Sequence, residues 1–381
     1  MNISILTLPL HTNYGGLLQA FALQSFLSDM GHDVWHINRQ FKKESWCIKY
    51  LSILKRGFLH FILNKDIPVR VWASKKEEEY IESEMIRFIK ENINHTECII
   101  SNKDFTRLKK YNFDAYFIGS DQVWRPEYTP SIGNYFLDFI AHAEKKVKRI
   151  AYAASFGVSH WLLDEVETNK MKELSGLFDF ISVRETDGID LCRKYLDKEA
   201  ILMPDPTLLI SKETYINMVE KDNVPTSPGN LMYYMLDNEP AKYNCIQMVA
   251  DELKLHPFTI YPLSKFSESG KKDLELCRYP SVTSWLRGFM DAKYVITDSF
   301  HGTVFAILFN KPFLSIGNPE RGLSRFVSLL DFLGLKERLI LEPELLTIDI
   351  INKPINYDSV NKILSSERMR VKSTINNILN K

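Results

Sequence analysis

The sequence predicts an α/β protein in which two parallel-sheet domains face each other across a cleft. Its 381 residues exceed the size at which one hydrophobic core stops growing. Strand patterns alternate with helix patterns along most of the chain, which is typical of parallel sheets. The polar segment 220–230 (EKDNVPTSPGN) contains two prolines and a glycine, and it separates two such alternations. We therefore expect a first domain over 1–220 and a second over 230–355.

Composition and charge limit the kind of partner that the protein can bind. With 45% hydrophobic and 12% aromatic residues, the chain has ample material for two cores. The 48 basic and 48 acidic residues balance, so no overall field would attract nucleic acid. The five cysteines stand singly, without metal-ligand spacing, which predicts a reduced, cytoplasmic protein. No signal peptide is recognisable, and no apolar run reaches the roughly 18 residues of a membrane span.

The first domain opens with a strand, a glycine turn, a helix and a second strand. The strand Ile3–Leu8 ends at the turn HTNYGG, the helix Leu17–Met30 follows, and the second strand is Asp33–Ile37. NYGG is not the dinucleotide-binding GxGxxG pattern. Adjacent glycines serve equally for a tight turn or for close approach of the backbone to a ligand or helix. The turn residues predicted to line the cleft are Asn13, Tyr14, Gly15 and Gly16.

The alternation breaks down in an insertion over about 42–95. Between Lys42 and Lys76, nine basic residues face two acidic ones, with apolar residues between them. This pattern predicts a basic amphipathic helix or helix pair. It is either a solvated helix that packs on the domain or a surface for an anionic membrane or acidic partner. Ser74 and Glu77 then predict a capping box ahead of a core-facing helix.

Polar turns follow the later strands of the first domain. The strands Ala115–Ile118, Arg149–Ala153, Phe180–Val183 and Ile201–Met203 run into GSDQVWRP, ASFG, RETDG and PDPTLLI. Because the carboxyl ends of parallel strands share one edge of a sheet, these turns predict a common crevice. The crevice candidates are Ser120, Asp121, Arg184 and Asp205. Arg184 is equally well explained as an ion-pair partner at a helix start, and Asp205 as a turn former.

The second domain carries the most informative segment, YVITDSFHGTVFAILFN over 294–310. It predicts a buried strand that stops at a polar turn and restarts as an apolar helix. A helix start directs backbone N–H groups towards a cleft and suits phosphate or carboxylate. His301 in this turn is a candidate acid or base, since its unperturbed pKa is roughly 6.5. Residues 356–381 predict a last helix that returns towards the first domain.

The ordered motifs NYGGLLQAFALQ, FIGSDQVW, SVRETDG, PDPTLL and TDSFHGTVFAILFNKPF resemble the polysaccharide pyruvyl transferase family. The resemblance covers most of the chain. It implies two Rossmann-like domains in a GT-B-like arrangement, with the helical insertion in the first domain. It also implies transfer of the enolpyruvyl group of phosphoenolpyruvate to a sugar hydroxyl, forming a pyruvate ketal in surface polysaccharide biosynthesis. The acceptor would be a nucleotide-linked sugar, a lipid-linked sugar or a glycan.

The resemblance also assigns residues. His301 matches the family's catalytic histidine, and Arg184 matches an arginine that holds the donor's anionic groups. Together with the residue chemistry it predicts His301 and Asp121 as catalytic. The predicted donor-binding residues are Arg184, Ser299, Gly302, Thr303, Arg321 and Arg325. Neither a metal nor a cofactor is expected beside phosphoenolpyruvate as co-substrate.

One departure from the family pattern concerns the residues before the histidine. Many members have an R-L-H-G pattern where this chain has Ser299, Phe300, His301 and Gly302. A serine cannot neutralise an anion as an arginine does. Either Arg321 or Arg325 takes its place, or the donor differs. A glycosyltransferase that uses a nucleotide sugar and a catalytically inactive sugar-binding protein are therefore the alternatives. We expect a cytoplasmic protein, peripheral at the inner face of the membrane if the basic segment binds lipid.

Overall fold

The computed structural model describes residues 1–42, 53, 55–56, 58–59, 70–141, 146–237, 239–271, 273–318 and 322–380. Most of the basic segment between Lys42 and Lys76 lies outside these residues, and so does Arg321. Both interpretations of the basic segment therefore stay predictions. Within the described part of the chain, no helix combines the length and the apolar character that a membrane crossing requires.

The described chain forms two sheets in which every strand pair is parallel. The six strands of the first sheet are β1 Asn2–Leu6, β2 Asp33–His36, β3 Ala115–Ile118, β4 Lys148–Ala154, β5 Phe180–Val183 and β6 Ile201–Leu202. The five strands of the second are β7 Leu231–Tyr234, β8 Pro257–Phe258, β9 Tyr294–Thr297, β10 Phe313–Ile316 and β11 Leu339–Ile340. The predicted pair of Rossmann-like domains in a GT-B-like arrangement is thereby confirmed.

Helices cover the two sheets and connect their strands. They are α1 Tyr14–Asp29, α2 Lys75–Ile81, α3 Ser83–Asn92, α4 Glu165–Ser175, α5 Thr186–Leu191, α6 Lys212–Lys221, α7 Pro240–Leu253, α8 Phe266–Ser269, α9 Val282–Asp291, α10 Phe300–Leu308, α11 Leu323–Phe332, α12 Ile348–Asn352 and α13 Tyr357–Leu379. The capping box predicted for the insertion is present at α2, where Ser74 and Glu77 exchange hydrogen bonds.

Both sheets reverse their strand order next to a central strand. The orders are β2-β1-β3-β4-β5-β6 and β11-β10-β9-β7-β8. The chain therefore leaves β1 and β3 in opposite directions, and it does the same at β7 and β9. Such reversals open a crevice at the carboxyl ends of the strands, where ligands of α/β proteins bind.

The segment β9–α10 forms the interior of the second domain. All four residues of β9 and all nine of α10 are buried. A helix that is apolar on every side needs cover on every side, and here it packs on its own sheet. A Cβ atom at Gly302 would lie 2.3 Å from Oγ1 of Thr297, so glycine permits the close packing of α10 on β9.

The first helix of the chain joins the two domains. Tyr14 is fully buried, its ring stacks on Trp285 of α9 with centroids 5.5 Å apart, and its hydroxyl donates to the carbonyl of Pro280 at 2.8 Å. At the opposite end of the chain, α13 lies against the first domain, where Arg368 donates to the carbonyl of Leu208 at 2.7 Å. The domains are therefore held together on two sides of the cleft.

Gly15 is a point of close contact between the domains and provides a first test. A Cβ atom there would lie 2.1 Å from Nδ1 of His301, whereas one at Gly16 would first meet Cβ of Asn13 at 3.4 Å. We expect Gly15→Ala to lower the free energy of unfolding by about 1–3 kcal/mol through overpacking. Gly16→Ala should be neutral or stabilising, since alanine favours a helix by ~0.5–1 kcal/mol.

Denaturant unfolding of the two alanine variants beside the wild type measures this difference. Equal behaviour of the two variants would show that the imidazole of His301 is not seated on Gly15.

Candidate active site

A cavity of about 450 Å³ lies between the domains, at the reversal points of both sheets. The loops after β1 and β3 line it from the first domain, and those after β7 and β9 from the second. Its polar and aromatic wall residues are His11, Thr12, Asn13, Phe41, Asp121, Gln122, Glu127, Tyr128, Tyr234, Tyr261, Tyr279, Asp298, Ser299, Phe300, His301, Arg325 and Phe326. The fold thus brings polar turns from both domains, which are far apart in the sequence, to one cavity.

His301 is the second residue of α10. The helix therefore begins one residue before His301, whereas the sequence predicted that it begins after it. Ser299 caps this helix, and its hydroxyl accepts from the amide of Gly302 at 3.3 Å. The imidazole is 6% exposed, with Gly15 of α1 against the ring and Oδ2 of Asp205 at 3.3 Å from Nε2. This last contact lies within ion-pair distance, and Nε2 forms no hydrogen bond with any described residue.

Asp205 connects His301 to Arg184. Its Oδ2 accepts from Nη1 of Arg184 at 2.6 Å, and its Oδ1 accepts from the hydroxyl and amide of Thr207 at 2.7 and 3.1 Å. Burial by itself would raise the pKa of this carboxyl, but His301, Arg184 and Thr207 together hold it well below its usual range. Asp205 is therefore an ionised, almost fully buried group. The structure corrects its predicted place on the open cleft wall, because it lies behind His301.

Arg184 bridges two carboxylates instead of facing the cleft. Besides Asp205, its guanidinium donates to Oδ1 of Asp121 at 3.1 Å, and its side chain is 2% exposed. Burial would lower the pKa of this guanidinium, but Asp121 and Asp205 raise it above the usual value. It walls a different, mainly apolar cavity of about 340 Å³. The guanidinium that was predicted to bind the donor thus already binds two carboxylates and fixes their positions.

Asp121 lines the larger cavity from the first domain, and His301 lines it from the second. Burial would raise the pKa of its carboxyl, but the charges of Arg184, His301 and Arg325 lower it below the usual value. An ionised carboxylate there can accept a proton or a hydrogen bond. Asp205, rather than Asp121, makes the contact that orients His301.

Arg325 on α11 lines the larger cavity together with Ser299 and His301. Its guanidinium is 5.4 Å from the centre of the Phe300 ring, on the second-domain side of the cleft. Burial and the charge of Arg184 lower its pKa to about 10, and the carboxylates Asp121 and Glu185 offset this only in part. It remains a cation at neutral pH. Arg325, one of the two arginines predicted to replace the missing one at position 299, therefore lies at the cavity.

Four other predicted site residues serve packing or capping. Ser120 is fully buried and its hydroxyl donates to the carbonyl of Ala153 at 2.9 Å. Thr303 is also fully buried and hydrogen-bonds the hydroxyl of Ser315 at 2.6 Å. The amide of Gly302 is taken by Ser299, and the ring of Tyr14 lies in the second-domain core. These findings correct their predicted roles in the cleft, because none of them presents a free polar group there.

The glycine turn contributes its first residue to the cavity wall. Asn13 is exposed, lines the cavity and caps α1 by accepting from the amide of Gly16 at 3.0 Å. Gly15 and Gly16 allow α1 to begin beside His301 without a side chain between them. Of the two uses that the sequence left open for these glycines, close approach is the one that Gly15 shows.

Sequence reasoning missed several wall residues. Tyr261 and Tyr279 line the cavity, with ring centroids 6.0 Å apart, and neither stands in a recognisable motif. Asp298 also lines the cavity, directly after β9. Its carboxyl binds Lys242 at 3.0 Å and the amide of Leu236 at 2.8 Å, while burial and Asp237 raise its pKa to about 6. Its position directly after β9 and beside Ser299 could have identified it as a cavity residue, because strand ends line such clefts.

The chain is similar in fold to several solved structures. The spinosyn forosaminyltransferase SpnP is 11% identical, covers 100% of both chains and has a TM-score of 0.49. UDP-GlcNAc 2-epimerase from Neisseria meningitidis, bound to UDP-GlcNAc, is 11% identical over 97% of this chain and 100% of its own, with a TM-score of 0.44. MurG from Acinetobacter baumannii is 10% identical over 100% and 99%, with a TM-score of 0.42.

Among curated proteins, no sequence matches this chain at a significant level. A family model does match it, and the match extends over residues 13–320, which include the glycine turn, the cavity loops after β3, β7 and β9, and His301. That range is well over half of the 381 residues. The chain therefore belongs to the polysaccharide pyruvyl transferase family.

Proposed function

We propose that this protein transfers the enolpyruvyl group of phosphoenolpyruvate to a sugar hydroxyl and forms a pyruvate ketal. One observation carries the proposal. His301, backed by the buried carboxylate of Asp205, opens into a cavity that also holds the guanidinium of Arg325 and the carboxylate of Asp121. A cation for the donor, a proton carrier and a proton acceptor are the three groups that the reaction needs.

The donor is a small molecule with a phosphate and a carboxylate. Arg325 supplies a planar fork for one of these groups, as arginine does at phosphate and carboxylate sites. Burial removes water from the guanidinium and thereby lowers its pKa. A bound anion would stabilise the charged guanidinium in place of that water. The serine at position 299 does not leave the cavity without a cation, since Arg325 lines the same wall.

Two proton transfers accompany the addition. A sugar hydroxyl attacks the enol carbon and loses its proton, while the methylene carbon gains one. His301 serves the proton transfer at the methylene, held in place by Asp205 and by the backbone at Gly15. Asp121, an ionised carboxylate on the cavity wall, accepts the hydroxyl proton. A second hydroxyl of the sugar then displaces phosphate beside Arg325 and closes the ketal. Its proton restores His301, and the proton held by Asp121 leaves with the phosphate as hydrogen phosphate.

The acceptor side of the cavity is rich in tyrosine. Tyr128, Tyr234, Tyr261 and Tyr279 line it, and such rings combine an apolar face with a polar hydroxyl. This wall suits a sugar, which presents C–H faces and hydroxyl groups together. The acceptor class includes nucleotide-linked sugars, lipid-linked sugars and glycans in polysaccharide biosynthesis. For a lipid-linked acceptor, the basic segment 42–76 would hold the cytoplasmic enzyme at an anionic membrane surface.

Phosphate release tests the proposal directly. Purified protein is incubated with phosphoenolpyruvate and a panel of sugar acceptors, and inorganic phosphate and the ketal are measured. We expect release that depends on both substrates. Turnover of a nucleotide sugar without phosphate release from phosphoenolpyruvate would instead identify a glycosyltransferase. Sugar binding without turnover of either donor would identify an inactive binding protein.

His301→Gln is the mutational test of the acid–base role. We expect kcat to fall by at least ~10²-fold, because a positioned acid or base contributes about that much or more. The matched control is His160→Gln, since His160 is exposed on a loop outside the cavity. Initial rates and circular dichroism separate lost chemistry from lost folding. A His301 variant that turns over like the His160 variant would remove the imidazole from the mechanism.

The two arginines of the site should fail in different ways. Arg325→Lys keeps the charge but loses the fork, so we expect a higher KM for the donor with a smaller change in kcat. Arg184→Lys cannot bridge Asp121 and Asp205 together, so it should lower kcat and reduce the free energy of unfolding by ~1–3 kcal/mol. Steady-state kinetics and denaturant unfolding measure both. The reverse pattern would return donor binding to Arg184.

A further inference from the structure

The ring of Phe300 contacts both arginines of the site. The guanidinium carbon of Arg184 is 4.6 Å from the ring centre and that of Arg325 is 5.4 Å. Both distances are within the range over which the π face of an aromatic ring attracts a cation. Phe300 itself is 5% exposed and lines both cavities, the larger with Arg325 and the smaller with Arg184. Its ring is therefore the partition between the two cavities, with one cation on each.

The two cations differ in their neighbours. Arg184 donates to two carboxylates, at 2.6 Å to Asp205 and 3.1 Å to Asp121. Arg325 is influenced by charges of both signs, with Arg184 opposing Asp121 and Glu185, and its Nε donates to the carbonyl of Gly322 at 3.4 Å. Arg184 thus belongs to the inner network, whereas Arg325 lines the reaction cavity.

We propose that Phe300 is a positioning residue that holds the guanidinium of Arg325 at the wall of the reaction cavity, where it binds the donor's phosphate or carboxylate. An aliphatic side chain at this position lacks the negative π face and would remove one of the contacts that hold the guanidinium, beside its hydrogen bond to the carbonyl of Gly322. The proposal rests on the proposed function only for the identity of the anion. The positioning itself concerns any small oxyanion in the cavity.

A purely structural role for Phe300 predicts a different experimental result. The ring packs edge-on against Phe326, with centroids 5.9 Å apart, so its loss would lower stability in either case. Only the positioning role lowers affinity for a small anion beyond what a comparable packing defect does. Phe305 lies on the same helix, is fully buried and packs against Trp285 at 5.1 Å between centroids. Phe305→Leu is therefore the matched control for Phe300→Leu.

The experiment is calorimetric titration of the full-length protein with inorganic phosphate and, separately, with phosphoenolpyruvate. We expect Phe300→Leu to weaken phosphate binding roughly 3- to 30-fold, the change that loss of one cation–π contact gives. Phe305→Leu should lower the melting temperature and leave the phosphate Kd unchanged. Phe300→Tyr keeps the π face and should bind phosphate within about 2-fold of the wild type.

A double-mutant cycle with Arg325→Gln separates positioning from other effects. If Phe300 acts through Arg325, adding Phe300→Leu to Arg325→Gln causes no further loss of phosphate affinity. Additive losses, or unchanged phosphate affinity in Phe300→Leu, would overturn the proposal, as would a wild type that binds no phosphate. A wild type that binds phosphate but not phosphoenolpyruvate would instead remove the donor from the proposed function while the positioning test still stands.

Discussion

The contact between the imidazole of His301 and the carboxylate of Asp205 is the interaction on which the rest of the site depends. It joins the two domains, because Asp205 follows the last strand of the first sheet and His301 begins a helix of the second. A buried carboxylate is costly unless cations and hydrogen-bond donors surround it. Asp205 has His301, Arg184 and Thr207, so its charge is retained in the interior. The imidazole is consequently fixed against the first domain while its helix belongs to the second.

The position of the cavity follows from the topology of the two sheets. Each sheet reverses its strand order beside a central strand, and the loops at both reversals meet across the cleft. The insertion of Tyr14 into the second domain and the return of α13 to the first keep these loops together. The geometry of the site is therefore a property of the domain pair and not of either domain alone.

The two arginines that contact Phe300 have different electrostatic roles in the site. Arg184 is enclosed by two carboxylates and maintains the inner network, whereas Arg325 lines the larger cavity. Sequence position does not distinguish these roles, because both arginines stand near the start of a helix. The placement of neighbouring carboxylates distinguishes them, and this placement arises only when α11 packs beside the first domain.

The sequence by itself determined the alternation of strands and helices, the two parallel sheets, the family, and the prominence of the His301 turn. These depend on local periodicity, on glycine and capping residues, and on short ordered motifs, which the chain carries within a few residues of each other. It did not determine that Tyr14, Ser120 and Thr303 are buried, since a polar residue at a strand end serves a cleft or a core equally well. Nor did it pair Asp205 with His301, 96 positions apart in the printed sequence. Only the tertiary structure decided those partners, because contacts between side chains from different domains depend on how the two sheets are set across the cleft.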